Sequence, residues 1–148
     1  MTPGRAESLE IRSDVSELER IFAFIDPYCL RAGIADSTKY KLFLVAEELT
    51  MNAICHGYSG RSDGRIMMSL TRFDRNVELY FEDEAPAFDI LRDARDPDLD
   101  ADVEDRRIGG LGIHLLKTLS RSATYAYEQG RNTVRVTFGD EPAGALEP

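Results

Sequence analysis

Residues 108–116, IGGLGIHLL, place three glycines within four residues, where an apolar run begins and a helix is predicted. Residues without a Cβ at a helix start let a ligand approach the amide N–H groups, and the helix dipole favours phosphate there. A flexible hinge and tight helix packing would use the same glycines. The dinucleotide fingerprint would need a further glycine at Leu115 and a preceding strand, and the phosphate loop would need Gly-Lys-Ser/Thr. A nucleotide held by these glycines therefore requires a different fold.

Length and charge limit the class of protein. The chain has 148 residues, which predicts one domain. No charged start is followed by a hydrophobic stretch and no long apolar run occurs, so we expect a cytoplasmic protein without a membrane segment. The net charge of −9 argues against a direct nucleic-acid partner, because phosphate neutralisation needs a basic face. Cys29 and Cys55 lack metal or redox spacing, and we expect both to be reduced and buried.

Periodicity predicts alternating strands and helices. Pro27 is expected to kink or interrupt the first helix, Ser37 to cap the second, and the FDRN segment to close a hairpin. A turn is predicted at Gly130. In chain order we predict a strand at 8–12, helices at 14–32 and 37–58, strands at 66–72 and 77–82, a helix from the glycines to about 121, and strands at 123–128 and 133–138.

Two segments fall outside this pattern. Residues 84–107 are rich in Asp and Pro, as in a functional loop or lid, and residues 140–148 should form a disordered tail after a domain at 1–139. Because most strands adjoin as hairpins, we predict an α+β fold. It is a two-layer sandwich with a mixed, mostly antiparallel sheet covered on one face by helices.

The second predicted helix carries a pair of polar residues on a mostly apolar face. Glu48 and Asn52 are four residues apart, hence roughly 40° apart on the helical wheel, whereas Glu47 lies about 100° from Glu48. Such pairs are also common on solvated helix surfaces. In a functional site, Asn offers a neutral oxygen to Mg²⁺, and Glu can accept a proton or orient an attacking hydroxyl.

A third group follows the second hairpin strand, in FEDEAPAFD at residues 81–89. Asp83 leaves the strand into a loop, where its carboxylate could accept a hydrogen bond from the exocyclic amine of adenine. A turn-capping aspartate would occupy the same position.

Together, ELTMNA, DEAPAFD and GGLG in this order resemble the ATP-binding core of the GHKL superfamily, which has the Bergerat fold. The likeness is strongest to its small bacterial members, the anti-sigma-factor serine/threonine kinases. NAICHGY at 52–58, residues 96–119 and GRNTVRVTF at 130–138 extend it, so the resemblance runs from the first strand to Phe138.

The resemblance implies ATP and Mg²⁺ as cofactors and assigns roles to matching residues. Asn52 would bind the Mg²⁺ that bridges the phosphates, Glu48 would be the base or orienting group for the incoming hydroxyl, and Asp83 would bind the adenine amine. Residues 84–107 would form the ATP lid. The other implied nucleotide contacts are Ala87, Phe88, Arg106, Arg107, Gly110, Leu111, Gly112, Ile113 and Thr133, with Thr133 supporting the adenine contact of Asp83 and the glycine amides meeting the phosphates.

The chain departs from the family pattern in two places. Ala85 and Ala87 stand where the adenine box usually carries glycines, and Ile108 adjoins the position of a phosphate-contacting arginine, which Arg106 or Arg107 could replace. We expect these two arginines to face the ligand. DPDLDAD at 96–102 resembles a calcium loop, but Ala101 and an arginine occupy its glycine and glutamate positions, which excludes that type of site.

Three functions are compatible with these residues. The leading one is an ATP-dependent protein serine/threonine kinase that phosphorylates a STAS-domain anti-sigma-factor antagonist and sequesters a sigma factor. The second is an ATP-binding interaction module without phosphotransfer. The third is the catalytic part of a histidine kinase, which requires a dimerisation helix with a phosphoacceptor histidine that we do not expect ahead of the first strand. Relatives are often dimers, which leaves a homodimer open.

Overall fold

The computed structural model describes residues 6–93 and 111–140. A 3-10 turn at Val15–Glu17 precedes α1, and a π-helical turn at Ala53–Gly57 continues α2. The elements are β1 Glu7–Arg12, α1 Leu18–Ala32, α2 Asp36–Asn52, β2 Arg65–Phe73, β3 Asn76–Asp83, α3 Ile90–Asp93, α4 Leu111–Leu119, β4 Ser122–Glu128 and β5 Arg131–Gly139.

The described strands form one sheet in the order β1-β2-β3-β5-β4. Every pairing is antiparallel, so the sheet is not mixed as predicted, while the α+β class and the strand positions are confirmed. The FDRN hairpin is also confirmed, with Phe73 opposite Asn76 and Asp74 in the left-handed region. The core lies on one face of the sheet, where alternate residues of the three central strands are buried: Ile66, Met68, Leu70, Val77, Leu79, Phe81, Val134, Val136 and Phe138.

Helices cover this face. α2 buries Leu42, Ala46 and Leu49 on the predicted stripe, and α1 and α4 pack on either side of it. Pro27 lies inside α1, which continues from Leu18 to Ala32, so the predicted interruption does not occur. No helix of residues 6–93 and 111–140 is long and apolar enough to cross a membrane.

The start of α2 differs from the prediction. Ser37 lies within the first turn, and the N-cap is Ala35, whose side chain cannot cap. The N–H of Ala35 donates instead to Asp140 Oδ1 at 3.1 Å, and Arg72 Nη1 donates to Asp140 Oδ2 at 2.7 Å. Asp140 is fully buried, so it belongs to the fold and not to the tail that we predicted from residue 140; residues 141–148 lie outside the described part.

The helix that we expected to reach residue 58 ends at Asn52 and continues as the π-helical turn to Gly57. This turn carries Cys55 on its exposed side, so the prediction that both cysteines are buried is wrong for Cys55 and confirmed for Cys29. Both are free thiols. The wider turn matters for the site because it directs His56 and Gly57 towards the end of β3.

Candidate nucleotide site

A cavity of about 240 Å³ lies where the end of α2 and the π-helical turn face the ends of β3 and β5. Four residues predicted from the sequence line it: Asn52, Asp83, Ala87 and Phe88. The remaining lining residues are mostly apolar or small: Leu49, Ala53, His56, Gly57, Ser59, Phe81, Ala85, Pro86, Ile90, Tyr125, Asn132 and Val134. The structure therefore brings the predicted magnesium ligand and the predicted adenine ligand to one apolar cavity.

Asp83 is the acidic group of this cavity. It is the last residue of β3 and only 7% exposed, because it points to the helix-covered face of the sheet. Its Oδ1 accepts hydrogen bonds from Asn132 Nδ2 at 2.9 Å and from the Ala85 N–H at 3.0 Å. Burial raises the pKa of Asp83 above its ordinary value of 3.8, and the two hydrogen bonds oppose that rise.

Asn132 is a cavity residue that our sequence reasoning missed. It lies directly opposite Asp83 in the β3–β5 register and is only 5% exposed. Besides Asp83, its Nδ2 contacts the carbonyl oxygens of Pro86 at 3.0 Å and Ala85 at 3.1 Å. Its Oδ1 accepts from the Phe88 N–H at 3.0 Å and from the Tyr125 hydroxyl. Alternation along the last strand gave a usable signal, because Val134, Val136 and Phe138 share the face of residue 132.

Thr133 does not support Asp83, which corrects our expectation. It pairs with Glu82, so its side chain lies on the opposite face of the sheet from Asp83. Its hydroxyl donates to the Ala126 carbonyl oxygen at 3.2 Å. The predicted residue is one position away from the residue opposite Asp83. In a strand a shift of one position places the side chain on the other face of the sheet.

The loop after β3 is held at several points. The buried Tyr58 hydroxyl donates to the Arg65 carbonyl oxygen at 2.6 Å and accepts from the Glu84 N–H at 2.7 Å. Ala85 is buried, and a Cβ built on Gly57 would lie 2.9 Å from its methyl carbon. Ala85, where the resemblance implies a glycine, therefore fits because Gly57 leaves room for its methyl group. Ala87 and Phe88 remain exposed at the cavity rim.

Glu48 lies one turn before Asn52, about 6 Å along the α2 axis. It is half-buried, whereas Glu47 beside it is exposed. The first turn of α4 packs against this point: a Cβ on Gly112 would lie 2.6 Å from Glu48 Cβ and 2.4 Å from the Leu44 carbonyl oxygen. Tight helix packing thus requires a glycine at position 112, and it brings the start of α4 to Glu48.

The other predicted contacts divide between the core and the undescribed segment. Ile113 is 3% exposed and belongs to the hydrophobic core, so its side chain does not face the cavity. Leu111 opens α4. Arg106, Arg107 and Gly110, with most of the predicted lid, lie outside the described residues.

The donor set around the cavity suits a magnesium ion that is bound mainly through its nucleotide. Across residues 6–93 and 111–140, no three His, Cys, Asp or Glu side chains cluster as a ready-made metal site. Mg²⁺ keeps several waters and usually takes one or two protein oxygens plus substrate phosphates. The Asn52 carboxamide on the cavity wall fits that limited role.

Comparisons with known proteins point to one family. Residues 11–138 match the profile of the histidine kinase-like ATPase domain. Serine-protein kinase RsbW of Listeria monocytogenes is 27% identical over 114 residues, which cover 75% of this chain and 73% of that protein. Serine/threonine-protein kinase BtrW of Bordetella bronchiseptica is 22% identical over 139 residues, covering 94% and 97%. Anti-sigma F factor of Bacillus velezensis is 33% identical over 95 residues, covering 63% and 64%.

A solved structure has the same fold. The RsbU and RsbW domains of Rv1364c from Mycobacterium tuberculosis match with a TM-score of 0.64 at 17% identity. The match covers 97% of this chain and 35% of that one, so the present chain spans about a third of the solved chain.

Proposed function

The chain belongs to the histidine kinase-like ATPase domain family, and from that membership we propose that it is an ATP-dependent protein serine/threonine kinase acting as an anti-sigma, partner-switching regulator. One observation carries the proposal. Asp83 and Asn52 line one cavity, and Glu48 lies one helical turn from Asn52, where the first turn of α4 packs against it; this arrangement suits a base, its phosphates and an acceptor hydroxyl.

The cavity takes the adenine. Its volume is below the roughly 300–1,000 Å³ that encloses a drug-sized ligand, so it holds a base while the phosphates extend beyond it. The apolar walls exclude water, and Asp83 binds the exocyclic amine. Because both described hydrogen bonds to Asp83 end on Oδ1, we assign Oδ2 to the base.

The phosphates lie towards α2 and α4. Asn52 would hold Mg²⁺ through its side-chain oxygen, and the ion supplies charge neutralisation for the phosphoryl group when bound. The first turn of α4 offers amide N–H groups and the positive end of its dipole. The family pattern assigns Gly110 to the same phosphates, and Arg106 or Arg107 would take the place of the family's phosphate-contacting arginine.

Glu48 orients the acceptor. Its half-buried position beside Gly112 places the carboxylate within one helical turn of Asn52, where it accepts the proton of an incoming serine or threonine hydroxyl. The acceptor hydroxyl belongs to a STAS-domain antagonist, and the same kinase alternately sequesters a sigma factor.

The experiment compares two neighbouring glutamates. Purified wild type, Glu48→Gln and Glu47→Gln are incubated with γ-labelled ATP, Mg²⁺ and a STAS-domain antagonist, while calorimetry measures ATP binding. We expect Glu48→Gln to bind ATP as wild type does but to label the antagonist about 10²- to 10⁴-fold more slowly. Glu47→Gln, whose side chain is exposed, should label at the wild-type rate.

Two results would contradict the proposal. Absence of heat from ATP and Mg²⁺ with the folded wild type would remove the nucleotide site altogether. ATP binding without labelling of any antagonist would leave an interaction module shaped by ATP that transfers no phosphate.

A further inference from the structure

We propose that Asn132 determines base specificity by fixing Asp83 and residues 85–88, so that the site accepts a 6-amino purine and rejects a 6-oxo purine. The inference rests on the proposed ATP site and goes beyond it, because it assigns the choice of base to a residue on β5. Asn132 is thus a positioning residue that acts through Asp83.

The hydrogen-bonding capacity of Asn132 is used in full. A carboxamide has two N–H donors and an oxygen with two lone pairs. Nδ2 faces three acceptors, on Asp83, Ala85 and Pro86, at 2.9 to 3.1 Å. Oδ1 faces the Phe88 N–H and the Tyr125 hydroxyl. Because one side of the amide meets acceptors and the other meets a backbone donor, only this orientation of the amide satisfies its partners.

These contacts join three separate parts of the chain at the cavity wall. Asp83 ends β3, residues 85–88 form the loop that follows, and Tyr125 lies on β4. All of them converge on one buried side chain that is 49 residues from Asp83 in sequence. Removing the amide would leave two loop carbonyl oxygens and one loop N–H without this partner, so the loop would lose its fixed position.

A fixed carboxylate distinguishes two purines. Adenine presents an N–H₂ donor at position 6, whereas a 6-oxo purine presents an acceptor oxygen there. A carboxylate that is free to rotate can turn away from the acceptor, and the penalty then disappears. Asn132 and the Ala85 N–H both hold Oδ1 of Asp83, so the carboxylate cannot rotate without breaking two hydrogen bonds.

The test measures dissociation constants for Mg·ATP and Mg·ITP by calorimetry on the full chain. The proteins are wild type, Asn132→Leu, Asn132→Asp, Tyr125→Phe and the control Tyr127→Phe, which alters an exposed tyrosine on the same strand. We expect wild type and Tyr127→Phe to prefer ATP by about ten- to a hundredfold, the range for a hydrogen bond to a charged group. Asn132→Leu should prefer ATP by less than about threefold, with Tyr125→Phe between them.

Asn132→Asp isolates the donor side of the amide. Its carboxylate still accepts from the Phe88 N–H and the Tyr125 hydroxyl. On the other side it would repel the negative charge of Asp83 and could not donate to the two loop carbonyl oxygens, so the preference for ATP should also be lost. Thermal unfolding monitored by circular dichroism identifies variants that remain folded.

The outcomes separate the two proposals. If wild type binds neither nucleotide, the ATP site is wrong and this inference falls with it. If wild type prefers ATP and folded Asn132→Leu keeps the same ratio, only the role of Asn132 is wrong, since a merely structural residue would change stability without changing the ratio. If Asn132→Leu does not fold, unchanged ratios in Asn132→Asp and Tyr125→Phe would overturn the inference equally.

Discussion

Replacement of Asp140 by asparagine should destabilise the protein more than any other single loss of charge among its described ion pairs. The carboxylate is fully buried and joins three distant elements: the end of β5, the β2 strand through Arg72, and the N-cap of α2 through Ala35. Asparagine keeps the shape and can still accept one of these hydrogen bonds. It cannot balance the guanidinium charge, and its amide N–H₂ would face Arg72 or the Ala35 N–H.

The structure sets the size of the effect. Removing one partner of a buried ion pair costs about 3–5 kcal/mol, and we take about 3 kcal/mol because the Arg72 side chain is 20% exposed and retains some water. For a chain of this length, about 3 °C per kcal/mol gives a fall of roughly 10 °C in the midpoint of thermal unfolding.

Urea unfolding followed by circular dichroism measures the loss. The matched control is Glu78→Gln, which breaks the Glu78–Arg135 pair at 3.0 Å, where the Arg135 side chain is 57% exposed. That pair should contribute no more than about 0.5 kcal/mol. A second arm adds Arg72→Met to each background, because a methionine removes the charge that asparagine leaves unbalanced.

Either of two results would show that Asp140 and Arg72 do not act as one buried pair. The first is a loss from Asp140→Asn as small as that from Glu78→Gln at an unchanged m value. The second is strict additivity of Asp140→Asn and Arg72→Met, since residues that act as one buried pair must show a coupling energy.

Four further predictions concern the site and the thiols. Asp83→Asn should abolish ATP binding without lowering neutral-pH stability by more than about 1 kcal/mol, because the folded state pays for a buried carboxylate. The raised pKa of Asp83 means that its contribution to stability falls as pH rises from 3.8 through the folded value, while the ATP affinity of the wild type in calorimetry should fall as pH drops through that value, because a protonated carboxyl is a weaker acceptor for the adenine amine. Gly112→Ala should cost about 1–3 kcal/mol in urea unfolding, since its Cβ would overlap the Leu44 carbonyl oxygen; wild-type stability would refute the packing argument. Ellman's reagent should modify exposed Cys55 quickly and Cys29 only after unfolding, because burial raises the pKa of Cys29 to about 11; two fast thiols would contradict this.

Most of the fold could be predicted because its surfaces have strong periodicity. Alternation along 66–72, 77–82 and 133–138 placed three strands to within two residues, and the helical spacing of Leu42, Ala46 and Leu49 identified the buried side of α2. Each pattern arises because one face of the element is buried against the other layer. The local sequence therefore indicates both the type of element and its buried face.

The start of α2 could not be predicted in this way. Ser37 matches the composition of an N-cap, but the residue that satisfies Ala35 lies 105 positions away at the end of β5. A long-range carboxylate leaves no signal in the sequence near the helix. For the same reason Asp140, in a polar and proline-containing stretch, resembles the beginning of a tail.

The candidate site shows both the strength and the limit of motif matching. The helical wheel placed Glu48 and Asn52 on one side of α2, and the loop position of Asp83 put it at the same cavity as Asn52. The motif predicted Thr133 as the residue that supports Asp83, whereas in the β3–β5 register Asn132 lies opposite Asp83. Every second residue before Phe138 faces the core, and this alternation leads to residue 132. The alternation determines which way a strand side chain points, whatever the residue type.

The contact between Gly57 and Ala85 has an evolutionary consequence. There is space for one methyl group where the π-helical turn meets the loop after β3, and this chain carries it on the loop. The two positions should therefore be inherited as a pair, with the methyl on either side in different lineages and alanine at both positions selected against. Exchanging the two residues in this chain would move the methyl across the contact and keep its volume constant, whereas the single change at either position would leave a crowded or an empty contact.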